Sequence, residues 1–143
     1  MESLKIYVVA EEFVGDANGV TTAILELFEA LKKDSFYELV NSPDEADVIH
    51  AHTIGLDYIK LSFRYKHKMI VSAHVIPDSF IGSLIFSRLW QPLAKQYLKY
   101  VYNRSKQVIA VAPHVKTELA SIGVKSFIHV LCNSVNRTKF KPD

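Results

Sequence analysis

His74 is the residue that the sequence places best for chemistry. It follows a short apolar segment at residues 69–73 and precedes a loop that contains Pro77, Asp78 and Gly82. Such a segment, flanked by turn formers, favours a buried strand over a helix. Ligands of open α/β sheets bind outside the carboxyl ends of the strands. His74 is therefore predicted at the mouth of a site, where it could donate to developing negative charge or exchange a proton near neutral pH. A structural histidine satisfied within the fold is the alternative.

His50 and His52 lie two residues apart, so their side chains are expected on the same side of a strand. Two imidazoles on one face could begin a zinc site, but no third ligand follows at a plausible spacing. We therefore expect no metal and no cofactor, and interpret both residues as histidines that line a site or the edge of the core.

Gly15 and Gly19 separate the first predicted strand from its helix. Backbone amides and the helix dipole attract phosphate there, and the missing side chains permit close approach. The spacing differs from the G-x-G-x-x-G pattern of dinucleotide-binding loops. A turn that needs glycine explains the two residues equally well.

The segment 75–90 is unusually rich in large apolar residues for a loop. These residues could belong to the core, or they could form an apolar surface that admits an acyl chain or dips into a bilayer. The candidates for lipid contact in this segment are Phe80, Ile81, Leu84, Ile85 and Trp90.

A basic stripe follows on the next predicted helix, at residues 92–104. Lys95 and Lys99 are four residues apart, Tyr102 is expected to continue their face, and Pro92 is expected in the first turn. An anionic membrane surface attracts such a stripe by about 1 kcal/mol per Lys or Arg. A solvated helix face explains the lysines equally well.

Length and charge narrow the class of protein. The 143 residues fit one domain, and the single cysteine, Cys132, excludes an internal disulfide. Residues 1–50 hold 11 acidic and 3 basic side chains, whereas residues 51–143 hold 4 and 14. This asymmetry suggests a basic face that meets an anionic partner, unless the charges mix on the folded surface. No nucleic-acid motif accompanies it, and no apolar run reaches the roughly 18 residues of a membrane span.

Short apolar segments alternate with amphipathic ones along the chain. The predicted strands are residues 4–10, 36–40, 47–51, 69–74, 107–112 and 127–131. The predicted helices are residues 20–33, 56–65, 92–104 and 115–122. Nearly all-apolar strands that alternate with helices imply a parallel sheet covered on both faces, a Rossmann-like, doubly wound α/β fold of about six strands. The helical spacing predicts buried faces that carry Leu25, Phe28 and Leu31 on the first helix and Leu56, Ile59 and Phe63 on the second.

Five segments in this order resemble a known family. They are a glycine-containing first loop ending in GVT at 19–21, DVIHAHT at 47–53, VSAH at 71–74, VIAVAPHVKTEL at 108–119 and LCNSVNRTKF at 131–140. Together they resemble the N-terminal domain of family 4 glycosyltransferases with the GT-B architecture. The segment HVIPDSFIGSL, from His74 to Leu84, is most similar to bacterial enzymes that glucosylate diacylglycerol or its glycolipids.

The resemblance implies a peripheral enzyme on the cytoplasmic face of the cell membrane. It implies transfer from UDP-glucose or a similar donor to a lipid acceptor, with retention of configuration and usually without a metal. His74 matches the family's histidine beside the transferred sugar, and Gly19 matches the glycine that approaches the donor phosphates, with Gly15 in the same loop. By the same likeness Asp78 and Ser79 face the acceptor, and we place His52 with them.

The resemblance has one departure and one consequence. Relatives usually read Pro-Asn-Gly-Val-Asp where this chain has CNSVN at 132–136, so the hinge there is expected to differ in shape. A second Rossmann-like domain, with most donor contacts and a pair of glutamates, is expected to follow Asp143. Residues 1–143 are then a single acceptor-side domain that is expected to have no turnover alone.

Three alternatives remain open. The acceptor could be a soluble sugar or a polyprenyl-linked glycan. The chain could instead be a nonenzymatic module that docks a nucleotide or a membrane. A GT-B epimerase is the third possibility, in which the apolar loop would have no role. Nucleic acid is not expected as a partner.

Overall fold

The computed structural model describes residues 3–10, 19–77 and 87–132. Strands and helices alternate through these ranges. The strands are Leu4–Val9 (β1), Tyr37–Leu39 (β2), Val48–Ala51 (β3), Met69–Ala73 (β4), Gln107–Ala110 (β5) and Phe127–Val130 (β6). The α-helices are Gly19–Lys33 (α1), Leu56–Tyr65 (α2), Ser87–Tyr102 (α3) and Pro113–Ser121 (α4). A 3₁₀ turn, Lys66–Lys68, joins α2 to β4.

The strands form one parallel sheet in the order β2-β1-β3-β4-β5-β6. This confirms the predicted Rossmann-like sheet of six strands. The chain moves outward from β1 to β2, then crosses to the other side of β1 and continues through β3 to β6. The strand order therefore reverses between β1 and β3, and ligands of such sheets bind at the carboxyl ends of the strands around that point.

One face of the sheet forms the core. Side chains of β3, β4 and β5 on this face are completely buried, and residues of α2, α3 and α4 belong to the same apolar cluster. The fully buried strand residues are Ile49, Ala51, Met69, Val71, Ala73, Val108 and Ala110. The intervening residues point to the opposite face, where β1 leads into α1.

Of the face predicted for α2, only Ile59 packs against the core. Leu56 and Phe63 are 72% and 67% exposed, whereas Tyr58, Ser62 and Tyr65 are buried. The tyrosine at 58 buries its ring because its hydroxyl donates to the Val101 carbonyl, 2.6 Å away. A hydroxyl with a partner makes a tyrosine as suitable for the core as leucine.

The prediction for α1 is right only in part. Leu31 is buried and Phe28 is half-buried, but Leu25 is 58% exposed. Ile24 and Leu27 are half-buried as well, so the packed side of the helix includes large residues other than Leu25.

The third helix begins earlier than predicted. It starts at Ser87, so Pro92 lies inside it instead of in the first turn. Pro92 is exposed, and water can bond the carbonyl whose helical partner the proline removes. Tyr102 is completely buried, so it does not continue the basic face of Lys95 and Lys99.

Gly123, two residues after the end of α4, has a φ of +90°. A methyl group added there would also lie 3.0 Å from Cε of Lys99. We expect Gly123→Ala to lower the free energy of unfolding by about 1–2 kcal/mol, mainly through backbone strain. Urea denaturation measures this loss.

Gly123→Asn is the matched control, because asparagine also adds a Cβ but tolerates positive φ better than alanine. A smaller loss for asparagine than for alanine identifies the backbone as the cause. Equal losses would assign the cost to the contact with Lys99, and no loss in either variant would contradict the prediction.

Candidate functional site

The end of β3 places two histidines on the face opposite the core. His50 lies in the strand, where it pairs in register with Val8 and Ile70. His52 follows the strand, and its backbone N–H donates to the Val9 carbonyl at 2.9 Å. Because Ile49 and Ala51 are fully buried in the core, the intervening His50 and the following His52 are directed away from it.

His74 follows the carboxyl end of the neighbouring strand β4. Its backbone N–H turns back to the Ser72 carbonyl, 3.2 Å away. The buried hydroxyl of Tyr102 holds the next turn in place by donating to the Val75 carbonyl at 2.7 Å. The loop after β3 is fixed in the same way, because the Tyr97 hydroxyl donates to the Ile54 carbonyl at 2.7 Å. Both tyrosines belong to α3, which therefore positions both histidine-bearing loops.

These strands bring His50, His52 and His74 together. The period of a strand predicts only that His50 and His52 share a side. Nδ1 of His52 lies 3.4 Å from Nε2 of His74, and the two rings stack at 5.6 Å between centroids. The rings of His50 and His52 are 4.3 Å apart. Nε2 of His50 lies 2.9 Å from the Ser72 hydroxyl.

An open pocket of about 290 Å³ lies against this cluster. One wall is α1, which contributes side chains at i, i+3, i+4 and i+7, the spacing of a single helical face. The others are the histidine face of the sheet and the chain after β6. The lining residues are Ala23, Glu26, Leu27, Ala30, His50, His52, Ser72, His74, Ile109, Val111, Leu131 and Cys132. The pocket is thus apolar, with polar groups concentrated at the histidines.

Burial keeps the histidines neutral. Desolvation, with a smaller contribution from His74, lowers the pKa of His50 to about 4. Desolvation, followed by the neighbouring His50 and His74, lowers the pKa of His52 to about 3. Burial also lowers the pKa of His74. A neutral imidazole has one donor and one acceptor nitrogen, so the cluster can exchange hydrogen bonds with an uncharged hydroxyl or a sugar oxygen.

Among the described residues, no group of histidine, cysteine, aspartate or glutamate side chains has the arrangement of a metal site. Nε2 of His52 is buried and has no hydrogen-bond partner within ranges 3–10, 19–77 and 87–132. Its ring is tilted against that of His50 and stacked on that of His74, and its Nδ1 lies within hydrogen-bond distance of Nε2 of His74. The arrangement suits hydrogen bonding better than coordination.

Several predicted site residues lie outside the described residues. Gly19 is described as the first residue of α1, so its amide belongs to the helix N-terminus, where backbone N–H groups have no intrahelical partner. The predicted residues outside the described ranges are Gly15, Asp78, Ser79, Phe80, Ile81, Leu84 and Ile85, together with the hinge residues 133–136.

The structure separates the remaining candidates for lipid contact. Trp90 is 52% exposed and belongs to a stripe on α3 that continues through Leu93, Tyr97 and Tyr100. Lys95 lies in a groove against α4 instead. The side chain of Lys99 lies next to Gly123. Within the part of the chain that the structure describes, no helix combines the length and the apolar character needed to cross a membrane.

Besides the apolar lining, sequence reasoning missed the three pocket residues that carry a hydroxyl, carboxyl or thiol group: Ser72, Glu26 and Cys132. Ser72 could have been found from the period of a strand, because it precedes His74 by two residues and so shares its face. No comparable signal exists for Glu26 or Cys132, which reach the pocket from separate elements.

A parallel, doubly wound sheet with a histidine-lined pocket at the carboxyl ends of its strands defines a Rossmann-like ligand-binding domain. The sequence pattern of the family described as Glycosyltransferase Family 4 matches residues 22–139. The chain belongs to this family, as the motif order predicted.

A curated relative narrows the comparison. The chain is 29% identical over 128 residues to "Alpha-galactosylglucosyldiacylglycerol synthase" of Streptococcus pneumoniae. The match covers 87% of this chain and 34% of the relative. The chain therefore spans about a third of the length of this glycolipid synthase.

The lowered pKa values predict a loss of stability in mild acid. Above a pH of about 6.5 the histidines are neutral in both the folded and the unfolded chain. As the pH falls toward 4, the unfolded chain takes up protons that the folded chain excludes. The shift of His50 from 6.5 to about 4 corresponds to a loss of about 3 kcal/mol. Urea denaturation at pH 7.5 and pH 4.5 measures it.

His50→Gln is the matched variant, because glutamine can still reach the Ser72 hydroxyl but does not titrate in this range. We expect its stability to fall less between the two pH values than that of the wild type. The same fall in both proteins would show that protonation of His50 does not cause the loss.

Proposed function

We propose that the protein containing this chain transfers a sugar from a nucleotide sugar, with UDP-glucose as the donor, to a membrane lipid. Diacylglycerol or a glycosyl-diacylglycerol is the proposed acceptor, and the anomeric configuration is retained. The observation that carries the proposal is the contact between His52 and His74. It lies in the mainly apolar pocket of a member of Glycosyltransferase Family 4. The name of the Streptococcus pneumoniae relative, a galactosylglucosyldiacylglycerol synthase, supports the choice of a diacylglycerol-type acceptor.

The pocket supports a role in binding the acceptor. Its apolar wall, which includes Ile109, Val111 and Leu131, suits the hydrocarbon part of a lipid. The histidines at one side of the same pocket supply hydrogen bonds for a hydroxyl or sugar oxygen. We propose that His74 contacts the transferred sugar and that His52, Asp78 and Ser79 serve the acceptor side.

The donor is proposed to approach the first turn of α1. Gly19 begins this helix, and Ala23, one turn later, already lines the pocket of His74. A diphosphate at the helix N-terminus would receive backbone N–H donors near the reacting sugar. Catalysis in this arrangement is mainly electrostatic, since the site holds the two substrates together and stabilises the charge that develops on the leaving diphosphate.

A second domain is part of the proposal. The chain spans about a third of the relative, and we propose that most donor contacts come from a further Rossmann-like domain. Residues 1–143 form the acceptor-side domain in this scheme, without a resident metal.

The function is tested in the longest natural polypeptide that contains this chain. His74→Ala should lower the rate of transfer from UDP-glucose to diacylglycerol in mixed micelles by about a hundredfold or more, because a donor to the transition state is lost. Circular dichroism checks that the fold is retained.

His67→Ala is the control, because His67 is exposed in the 3₁₀ turn away from the pocket. Full activity of His74→Ala would remove His74 from the mechanism. Transfer to a soluble sugar or a polyprenyl phosphate, with none to diacylglycerol, would overturn the proposed acceptor.

An anionic membrane surface is the proposed partner of α3. The exposed side chains of Trp90 and Lys95 support this, one apolar and one cationic. Interfacial helices combine the same two kinds of side chain.

Lys95→Glu should weaken binding of the 143-residue chain to vesicles that contain phosphatidylglycerol. Removing one attraction and adding one repulsion changes the free energy by about 2 kcal/mol, or roughly thirtyfold in affinity. Vesicle sedimentation at low salt measures the change. Lys32→Glu is the matched control, since Lys32 is exposed on α1, beyond the opposite face of the sheet. Equal effects of the two reversals would contradict a docking role for α3.

A further inference from the structure

We propose that His52 is a positioning residue that fixes the tautomer of His74. In this arrangement Nδ1–H of His52 donates to Nε2 of His74, so that His74 carries its proton on Nδ1 and presents an N–H donor to the ligand. The inference deepens the proposed function, on which it rests only for the identity of that ligand.

The geometry of the pair admits two arrangements. Nδ1 of His52 and Nε2 of His74 are 3.4 Å apart. In a neutral imidazole one nitrogen donates and the other accepts. Either His52 donates to His74, or His74 donates to His52. This choice decides whether the remaining nitrogen of each ring is a hydrogen-bond donor or an acceptor.

The buried nitrogen of His52 distinguishes the two arrangements. If His74 donated, the proton of His52 would lie on Nε2, which is buried and has no hydrogen-bond partner among the residues that the structure describes. Orphaned buried N–H groups are rarer in proteins than buried acceptors with an unused lone pair. The arrangement in which His52 donates leaves only a lone pair at Nε2 and is therefore favoured.

The surroundings hold His52 in the orientation that the pair needs. Its backbone N–H is bound to the Val9 carbonyl, and its side chain is 7% exposed. The nearby ring of His50 is engaged with the Ser72 hydroxyl. His50 therefore flanks His52 but makes no hydrogen bond to its Nε2.

The proposal needs both rings of the pair to be neutral. The titratable side chains that share the pocket with His74 are His50 and His52 from β3, Glu26 from α1 and Cys132 after β6. Burial lowers the pKa of His74, so a neutral ring is the form expected at pH 7. Glu26 interacts with another group of the protein, and its side chain lines the pocket.

A fixed tautomer limits what His74 can do. A donor at Nδ1 can bind an oxygen that gains negative charge, such as an oxygen of the leaving group or of the transferred sugar. A lone pair at the same position would instead suit a general base. His52 thus assigns His74 the part of a hydrogen-bond donor.

The test is the tautomer of His74 in the 143-residue chain labelled with ¹⁵N-histidine. Long-range ¹H–¹⁵N correlation spectra at pH 7.5 identify the protonated nitrogen of each ring, and His74→Gln assigns the signals. We expect Nδ1–H in the wild type. Nε2–H in the wild type would overturn the proposal, whether or not any variant folds.

Two substitutions at position 52 separate positioning from packing. His52→Asn keeps an amide nitrogen near the place of Nδ1 and should preserve the Nδ1–H form of His74. His52→Leu removes the donor, so His74 should change to the Nε2–H form that imidazole prefers in water. Its pKa should also rise, because the neutral ring loses a hydrogen bond. His129→Asn, at an exposed histidine of β6, should change neither quantity.

If asparagine and leucine have equal effects, or if leucine has none, the proposal is wrong. The spectra require neither sugar donor nor acceptor. An absence of transfer activity in the longer polypeptide would therefore overturn the proposed function while leaving this result intact. Conversely, the Nε2–H tautomer of His74 would overturn this inference but would not contradict the proposed transfer activity.

Discussion

The alternation of side chains along β3 and β4 is the constraint on which the site depends. One set of alternate residues, which includes Ile49, Met69 and Val71, is completely buried in the core. Burying side chains of this size stabilises the fold by about 1.5–3 kcal/mol each. A slip of one residue would bring His50 and Ser72 into the core in place of Ile49 and Val71. The apolar face thus fixes the polar one, and no histidine needs a strong interaction of its own to reach the pocket.

Helix α3 adds what the strands alone do not provide. Strand register sets where His52 and His74 leave the sheet, but the paths of the loops beyond them depend on hydrogen bonds from Tyr97 and Tyr102. Burial also raises the pKa of Tyr102 above its usual value, so its hydroxyl keeps its proton for the Val75 carbonyl. The core face and the histidine face are consequently joined by tyrosine hydroxyls.

The sequence allowed the strands to be predicted, because each is a short apolar segment between turn formers. It also predicted His74 at the end of β4. The packed faces of the helices were harder to predict. A tyrosine such as Tyr58 is buried once its hydroxyl finds a carbonyl, whereas Phe63 is exposed and has the guanidinium of Arg104 3.9 Å from its ring. The partners of both side chains are distant in the chain. The contacts of His52 with His74 likewise depend on strand order, which no local pattern specifies.

The two tyrosine hydrogen bonds have a dynamic consequence. Tyr97 and Tyr102 are five positions apart on one helix, and each holds the backbone of a different loop. A helix of this length moves nearly as a rigid rod, so neither loop can shift far without stretching a bond to the rod. Fluctuations of the segments around Ile54 and Val75 are therefore expected to be correlated, with α3 as the mechanical link between them.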